Sequence, residues 1–91
     1  MRKWAIISRR EAERLQAAGA LLLDVRSPEE FAGGHMAGSL SLPVERIAGS
    51  IGGLAAKERV IIVYCATGER SRTAAAILAR LGFERIYVVS Q

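Results

Sequence analysis

One stretch decides most of what this chain can become: residues 60–78, Val-Ile-Ile-Val-Tyr-Cys-Ala-Thr-Gly-Glu-Arg-Ser-Arg-Thr-Ala-Ala-Ala-Ile-Leu. Val60 to Tyr64 are all β-branched or aromatic, which favours a buried strand. The chain's only cysteine, Cys65, follows directly, and an alanine-rich helical run begins five or six residues later. The stretch is thus a strand, a tight loop and a helix. A cysteine so placed leaves the carboxyl end of a strand and faces the amino end of a helix, where unpaired N–H groups and the helix dipole attract negative charge. Such surroundings, with a cation nearby, bring a thiol from about 8.5 into the range of roughly 3.5–7.5. Arg70 supplies the cation, and Gly68 lets the backbone turn so that successive N–H groups converge on one anion. The loop is expected to be an anion cradle with a nucleophile on its rim. The alternative is an inert cysteine packed like a small hydrophobe, which has no need of a glycine-arginine loop beside it.

The rest of the chain bounds the setting of that loop. Ninety-one residues make one domain with a single core. The net charge of +4 comes from basic residues scattered along the chain without aromatic-basic interleaving, so it suits the steering of small anions and no nucleic-acid partner is expected. One cysteine forms no internal disulfide, which fits a reducing cytoplasm. The basic start at Arg2 and Lys3 precedes no apolar run of signal length, and no stretch approaches a membrane span, so no membrane partner is expected. Neither a repeat nor a low-complexity tract is present.

Punctuation along the chain predicts alternating strands and short helices. Trp4 to Ile7 is an edge strand, Ser8 and Glu11 form a capping box, and Gly19 stops the first helix after a stripe of Ala12, Leu15 and Ala18. Ala20 to Val25 is a buried strand with Asp24 near its carboxyl end. Ser27, Pro28 and Glu30 start a second helix that Gly33 and Gly34 end. Leu40 to Leu42 is a short strand, and Pro43 opens a weak helix carrying Val44, Ile47, Ile51 and Leu54 at helical spacing. After the loop, Ala74, Ile77, Leu78 and Leu81 should pack the main helix on the sheet, Gly82 stops it, and Ile86 to Val89 is the last strand. This order predicts an α/β fold with a mostly parallel central sheet of about four or five strands and helices on both faces. In such sheets the ligand crevice lies beyond the carboxyl ends of the strands, where Cys65 stands.

Three ordered blocks carry a family resemblance. Cys65-Ala-Thr-Gly-Glu-Arg70 is similar to the active-site loop of single-domain rhodaneses, Cys-x-x-Gly-x-Arg. Leu22 to Pro43, with Asp24, Arg26, Glu30, Phe31, Gly34, His35 and Gly38 in order, resembles the family's amino-terminal signature, and Leu81 to Val89 completes the match. The chain looks like a small rhodanese of the phage-shock-protein-E-like sort, and residues 1–91 are expected to form one rhodanese-like domain. The resemblance implies a thiosulfate sulfurtransferase: Cys65 takes the outer sulfur as a persulfide, sulfite leaves, and the sulfur passes to cyanide or a thiol. Arg70 is then the ligand of the sulfonate, with Ala66, Thr67, Gly68, Glu69 and Ser71 lining the substrate site. Glu69 opposes the positive potential, and pairing with Arg72 or exposure to solvent would make it harmless.

Asp24, Arg26 and Glu30 are expected to form a structural ion-pair network at the strand end, and His35 a hydrogen-bonded turn. No metal or organic cofactor is implied, since one cysteine and one histidine make a poor zinc site. The partners implied are a small anionic sulfur donor and a thiol or cyanide acceptor, thioredoxin-like proteins or other thiol proteins among them. A persulfide relay or thiol-dependent reductase acting with a protein partner, or a non-catalytic rhodanese-like binding module, are the rival readings. Phosphatases of similar design have a loop one residue longer than the four residues between Cys65 and Arg70, so phosphate should fit poorly. Relatives usually continue past the last strand with a Gly-Gly turn and a further helix, which the 91 residues lack. A sheet flank left uncovered in that way would favour self-association.

Overall fold

The apolar run before Cys65 becomes the middle strand of a five-stranded sheet in which every pairing is parallel. The structure, a computed structural model, describes residues 3–90. Its strands are β1 (Trp4–Ile7), β2 (Leu21–Asp24), β3 (Leu40–Ser41), β4 (Val60–Tyr64) and β5 (Arg85–Val89), and they lie in the order β1-β5-β4-β2-β3. Parallel neighbours require crossovers, and these are supplied by α1 (Arg9–Ala17), α2 (Pro28–Ala32), α3 (Ile47–Ser50) and α4 (Glu69–Arg80). The α/β fold, its parallel sheet and its flanking helices agree with the sequence pattern.

Alternation along the strands sorts the core into two layers. Ile61, Val63 and Cys65 of the β4 line join Leu23, Val25, Ile86 and Val88 beneath Ala74, Ala75 and Leu78 of α4 and Ile47 and Ile51 of the 44–53 segment. Ile62 and Tyr64 point the other way, with Leu22, Ile7 and Val89, toward Ala12 of α1 and Met36. Because both faces of β4 are covered, its residues read as a continuous apolar run rather than an alternation.

Capping chemistry sets the helix starts. Ser8 with Glu11, and Ser27 with Glu30, each form a complete capping box, and Pro28 occupies the first turn of α2. The segment after Pro43 differs from the single weak helix its spacing suggests. It is two short 3-10 turns, Val44–Arg46 and Ile51–Gly53, on either side of α3. The tighter 3-10 phase rotates Leu54 out to 40% exposure, so the inward stripe ends at Ile51. Leu81 likewise stands at the C-cap of α4 and is 36% exposed, while Phe83, in the turn that follows, fills the core at 3%. No helix among the described residues is long and apolar enough to cross a membrane.

Candidate active site

Cys65 sits where β4 ends, and the first residues of α4 close over it. Gly68 is the N-cap of α4 and has no side chain to satisfy the helix's leading N–H groups. The Cys65 sulfur takes that role. It accepts from Gly68 N at 3.0 Å and from Ser71 N at 3.3 Å. Gly68 adopts φ +91°, the left-handed conformation that lets the chain turn back so sharply. The Ser71 hydroxyl lies 3.4 Å from Sγ and donates to Gly68 O at 3.0 Å. A thiol donates to that hydroxyl, whereas a thiolate accepts from it once the hydroxyl rotates. Burial pushes the Cys65 pKa up, but the Ser71 hydroxyl and the N–H groups of Ser71, Gly68 and Thr67 outweigh it, and the net direction is below the ordinary thiol value. Cys65 is 4% exposed and Ser71 fully buried, whereas Ala66, Thr67 and Glu69 face solvent. Solvent exposure is the way Glu69 avoids opposing the cradle.

A second group of polar residues fixes the ground on which that loop stands. The Asp24 carboxylate is fully buried and receives Arg26 N and Nε at Oδ1 (3.0 and 2.9 Å), and Arg26 Nη2 and the Tyr64 hydroxyl at Oδ2 (2.6 and 2.7 Å). Desolvation alone would raise its pKa, yet the bonds from Arg26 and Tyr64 prevail and hold it low. Arg26 also donates to Gly34 O at 2.7 Å, and the Tyr64 hydroxyl accepts from Met36 N at 2.9 Å and lies 3.1 Å from Ser39 Oγ. The residue immediately before the nucleophile therefore ties strand β2 to the 34–39 loop. Sequence reasoning treated Tyr64 only as a strand residue; a tyrosine closing a buried strand, with a hydroxyl in need of a partner, was the available signal.

Glu30 does not join that network. Its carboxylate grips Arg70 in a two-pronged pair, Nη1 to Oε1 at 2.7 Å and Nη2 to Oε2 at 3.0 Å, while Oε1 also accepts from Ser27 N at 3.0 Å. The expected three-residue network is thus two separate pairs, Asp24 with Arg26 and Glu30 with Arg70. The reason is geometric: Arg26 precedes the N-cap Ser27 and lies off the helix, so the four-residue spacing to Glu30 brings no contact. Hydrogen bonds from Arg70 and Ser27 lower the Glu30 pKa to about 2. Glu30, followed by the attraction of Cys65, raises that of Arg70. His35 stacks on Phe31, ring centroids 3.6 Å apart, and its Nδ1 lies 2.7 Å from Phe31 O.

Cys65 opens on a cleft of about 580 Å³ beyond the carboxyl ends of the strands. Arg9 after β1, Arg26 after β2, His35 and Met36 from the loop after α2, Ala66 after β4 and Ser90 after β5 contribute to its walls. Arg9 and Arg26 are the arginines on its walls, while Arg70, whose charge is felt at Cys65, stands outside its lining. Arg9 went unnoticed in the sequence because only the strand order brings the start of α1 round to the loop after β4.

Comparison with known proteins agrees with this geometry. The family model of the rhodanese-like domain matches residues 8–91. Thiosulfate sulfurtransferase GlpE of Ectopseudomonas mendocina is 37% identical over 87 residues, covering 96% of this chain and 79% of that protein. Among solved structures, the human single-domain sulfurtransferase TSTD1 superposes with a TM-score of 0.80 at 28% identity, covering 92% of this chain and 87% of that one. A rhodanese with anions from E. coli gives 0.72 at 27% identity, covering 77% and 84%. A parallel sheet that delivers a cysteine sulfur to the amino end of a helix, a matching family model and these relatives lead to one conclusion: the chain belongs to the rhodanese-like family of single-domain sulfurtransferases.

Proposed function

We propose that the protein is a thiosulfate sulfurtransferase and that residues 1–91 act as one rhodanese-like domain in a reducing cytoplasm. The Cys65 thiolate attacks the outer sulfur of thiosulfate, the S–S bond breaks, and sulfite leaves with the bonding pair. The persulfide so formed passes its outer sulfur to cyanide as thiocyanate, or to a thiol, and the Cys65 thiolate returns. The observation that carries this reading is the sulfur at the centre of converging donors, Gly68 N at 3.0 Å and Ser71 N at 3.3 Å. Such donors stabilise the thiolate and the charge on a persulfide as it forms and breaks. The names of the relatives support the choice of donor.

In this scheme the N–H groups of residues 66–71 hold the reacting sulfurs. Arg70 contributes positive charge at the loop, and Glu30 engages both of its terminal nitrogens. The sulfonate of thiosulfate approaches from the cleft side, where Arg9 and Arg26 stand. Mass spectrometry after thiosulfate treatment tests the reading. One added sulfur on Cys65, absent in Cys65→Ser, supports it; an unmodified thiol favours a binding module. Two displacements through a covalent enzyme give parallel double-reciprocal plots, and intersecting plots count against the scheme. Hydrolysis of an aryl phosphate that is lost on Cys65→Ser would point instead to a phosphatase.

A further inference from the structure

The two faces of the sheet are covered unequally. On one, α4 and the 44–53 segment lie over the strands. On the other, α1 is the only helix that contributes to the core among the described residues, through Ala12 and Leu15. Beside α1 this face leaves Tyr87 of β5 half-buried and its register neighbour Ala5 of β1 exposed. A hollow of about 380 Å³ lies there, with Ile7, Leu15, Ala18 and Tyr87 as its apolar lining and Glu11 and Arg14 as its charged groups. Ile7 ends β1 and Ala18 is the C-cap of α1, so the apolar residues bracket the helix and the charges stand between them. Glu11 Oε1 accepts from Ser8 N at 3.2 Å, and Arg14 enters no ion pair among the described residues.

We propose that this hollow is the contact between two copies of the chain, related by a two-fold axis that sets their α1 helices antiparallel. Such an axis requires a surface that complements itself, and the lining residues meet that requirement. With the helices centred between Ala12 and Glu13, Glu11 of each copy stands opposite Arg14 of the other. The same centre sets Ile7 of each copy opposite Ala18 of the other. Charges of opposite sign therefore meet in the middle and apolar surface meets at both ends. A parallel arrangement would set Glu11 beside Glu11 and Arg14 beside Arg14, and that juxtaposition is disfavoured. The free edge of β1 is a weaker candidate for the contact, because Ile6, 45% exposed, lies on the opposite face from Ile7 and offers no charge to a partner.

Sedimentation velocity tests the contact, run with a thiol reductant so that Cys65 does not link chains. The expected result is a parent protein that passes from monomer to dimer below about 1 mM chain. Arg14→Glu sets like charges opposite each other, and the axis counts the change twice, so the dimer Kd rises about tenfold or more. Ala18→Lys weakens the dimer by a similar factor while keeping the fold, since Ala18 is exposed and a cation suits the carboxyl end of a helix. Glu11→Lys is weakened in the same way. Mixed with Arg14→Glu it restores both charge pairs, so the mixture associates more tightly than either variant alone. Circular dichroism checks that each variant is folded; if Glu11→Lys, which loses its capping box, is not, Arg14→Glu and Ala18→Lys decide. A parent that stays monomeric up to about 1 mM overturns the proposal. If that monomer binds a synthetic amphipathic leucine-lysine helix, and Ala18→Lys abolishes the binding, the hollow belongs to a different chain. A dimer indifferent to both Arg14→Glu and Ala18→Lys also overturns it, and loss of that dimer in Ile6→Lys would assign the contact to the opposite face.

Discussion

Replacing Tyr64 with phenylalanine removes one oxygen and keeps the ring, so the change isolates the hydroxyl that joins β2 to the 34–39 loop. That hydroxyl donates to the fully buried Asp24 carboxylate at 2.7 Å and accepts from the buried Met36 N–H at 2.9 Å. A hydrogen bond to a charged group contributes about 1.5–3 kcal/mol, and a buried donor left without a partner costs about 1–3 kcal/mol. Part of the second loss is recovered if water from the cleft reaches Met36 N, since Tyr64 and Met36 both line it. The expected destabilisation is therefore about 3 kcal/mol. For a domain of 91 residues, at about 4–8 °C per kcal/mol, Tm should fall by roughly 12–24 °C. Urea unfolding followed by circular dichroism measures the free-energy loss and a thermal melt the fall in Tm, with Tyr87→Phe as the control, because Tyr87 takes no part in that network. A loss below about 1 kcal/mol in Tyr64→Phe, with an unchanged slope in urea, would refute the claim that this hydroxyl holds the loop in place.

Three further changes probe the site. Ser71→Ala keeps the N–H that reaches Sγ and removes the hydroxyl, so the Cys65 pKa rises and alkylation by iodoacetamide near neutral pH slows by roughly tenfold; an unaltered pH profile counts against the cradle. Glu30 titrates at about 2 in the fold against 4.5 ordinarily, so its contribution to stability is complete above about pH 5 and is lost as pH falls toward 2. The stability gap between the parent and Glu30→Gln should close over that window, and a gap that persists unchanged at pH 2 would show that the carboxylate charge is not its source. Gly68→Ala forces a side chain into the left-handed region at φ +91°, costing about 1–2 kcal/mol, and displaces the N–H at 3.0 Å from Sγ. Thiosulfate turnover should fall by more than the stability loss explains; wild-type turnover with only a lowered Tm would place that N–H outside the chemistry.

What the sequence determined by itself is local. The β-branched run of Val60 to Tyr64 needs burial on both faces, serine and glutamate three residues apart start α1 and α2, and a glycine followed by an alanine-rich run opens α4. Each follows from the conformational preferences of a few neighbouring residues, and together they place Cys65 at a helix amino end. Where spacing alone had to choose an inward face, at Leu54 and Leu81, it erred because 3-10 turns and helix ends do not keep the α-helical phase. What only the tertiary structure decided is partnership. Glu30 pairs with Arg70 and Asp24 with Tyr64 across 40 residues of chain, and Arg9 reaches the cleft from the far end of the sheet order. Periodicity states which side of an element faces inward. Which charge meets which depends on where the strand order sets each loop, and that order is fixed by packing over the whole sheet.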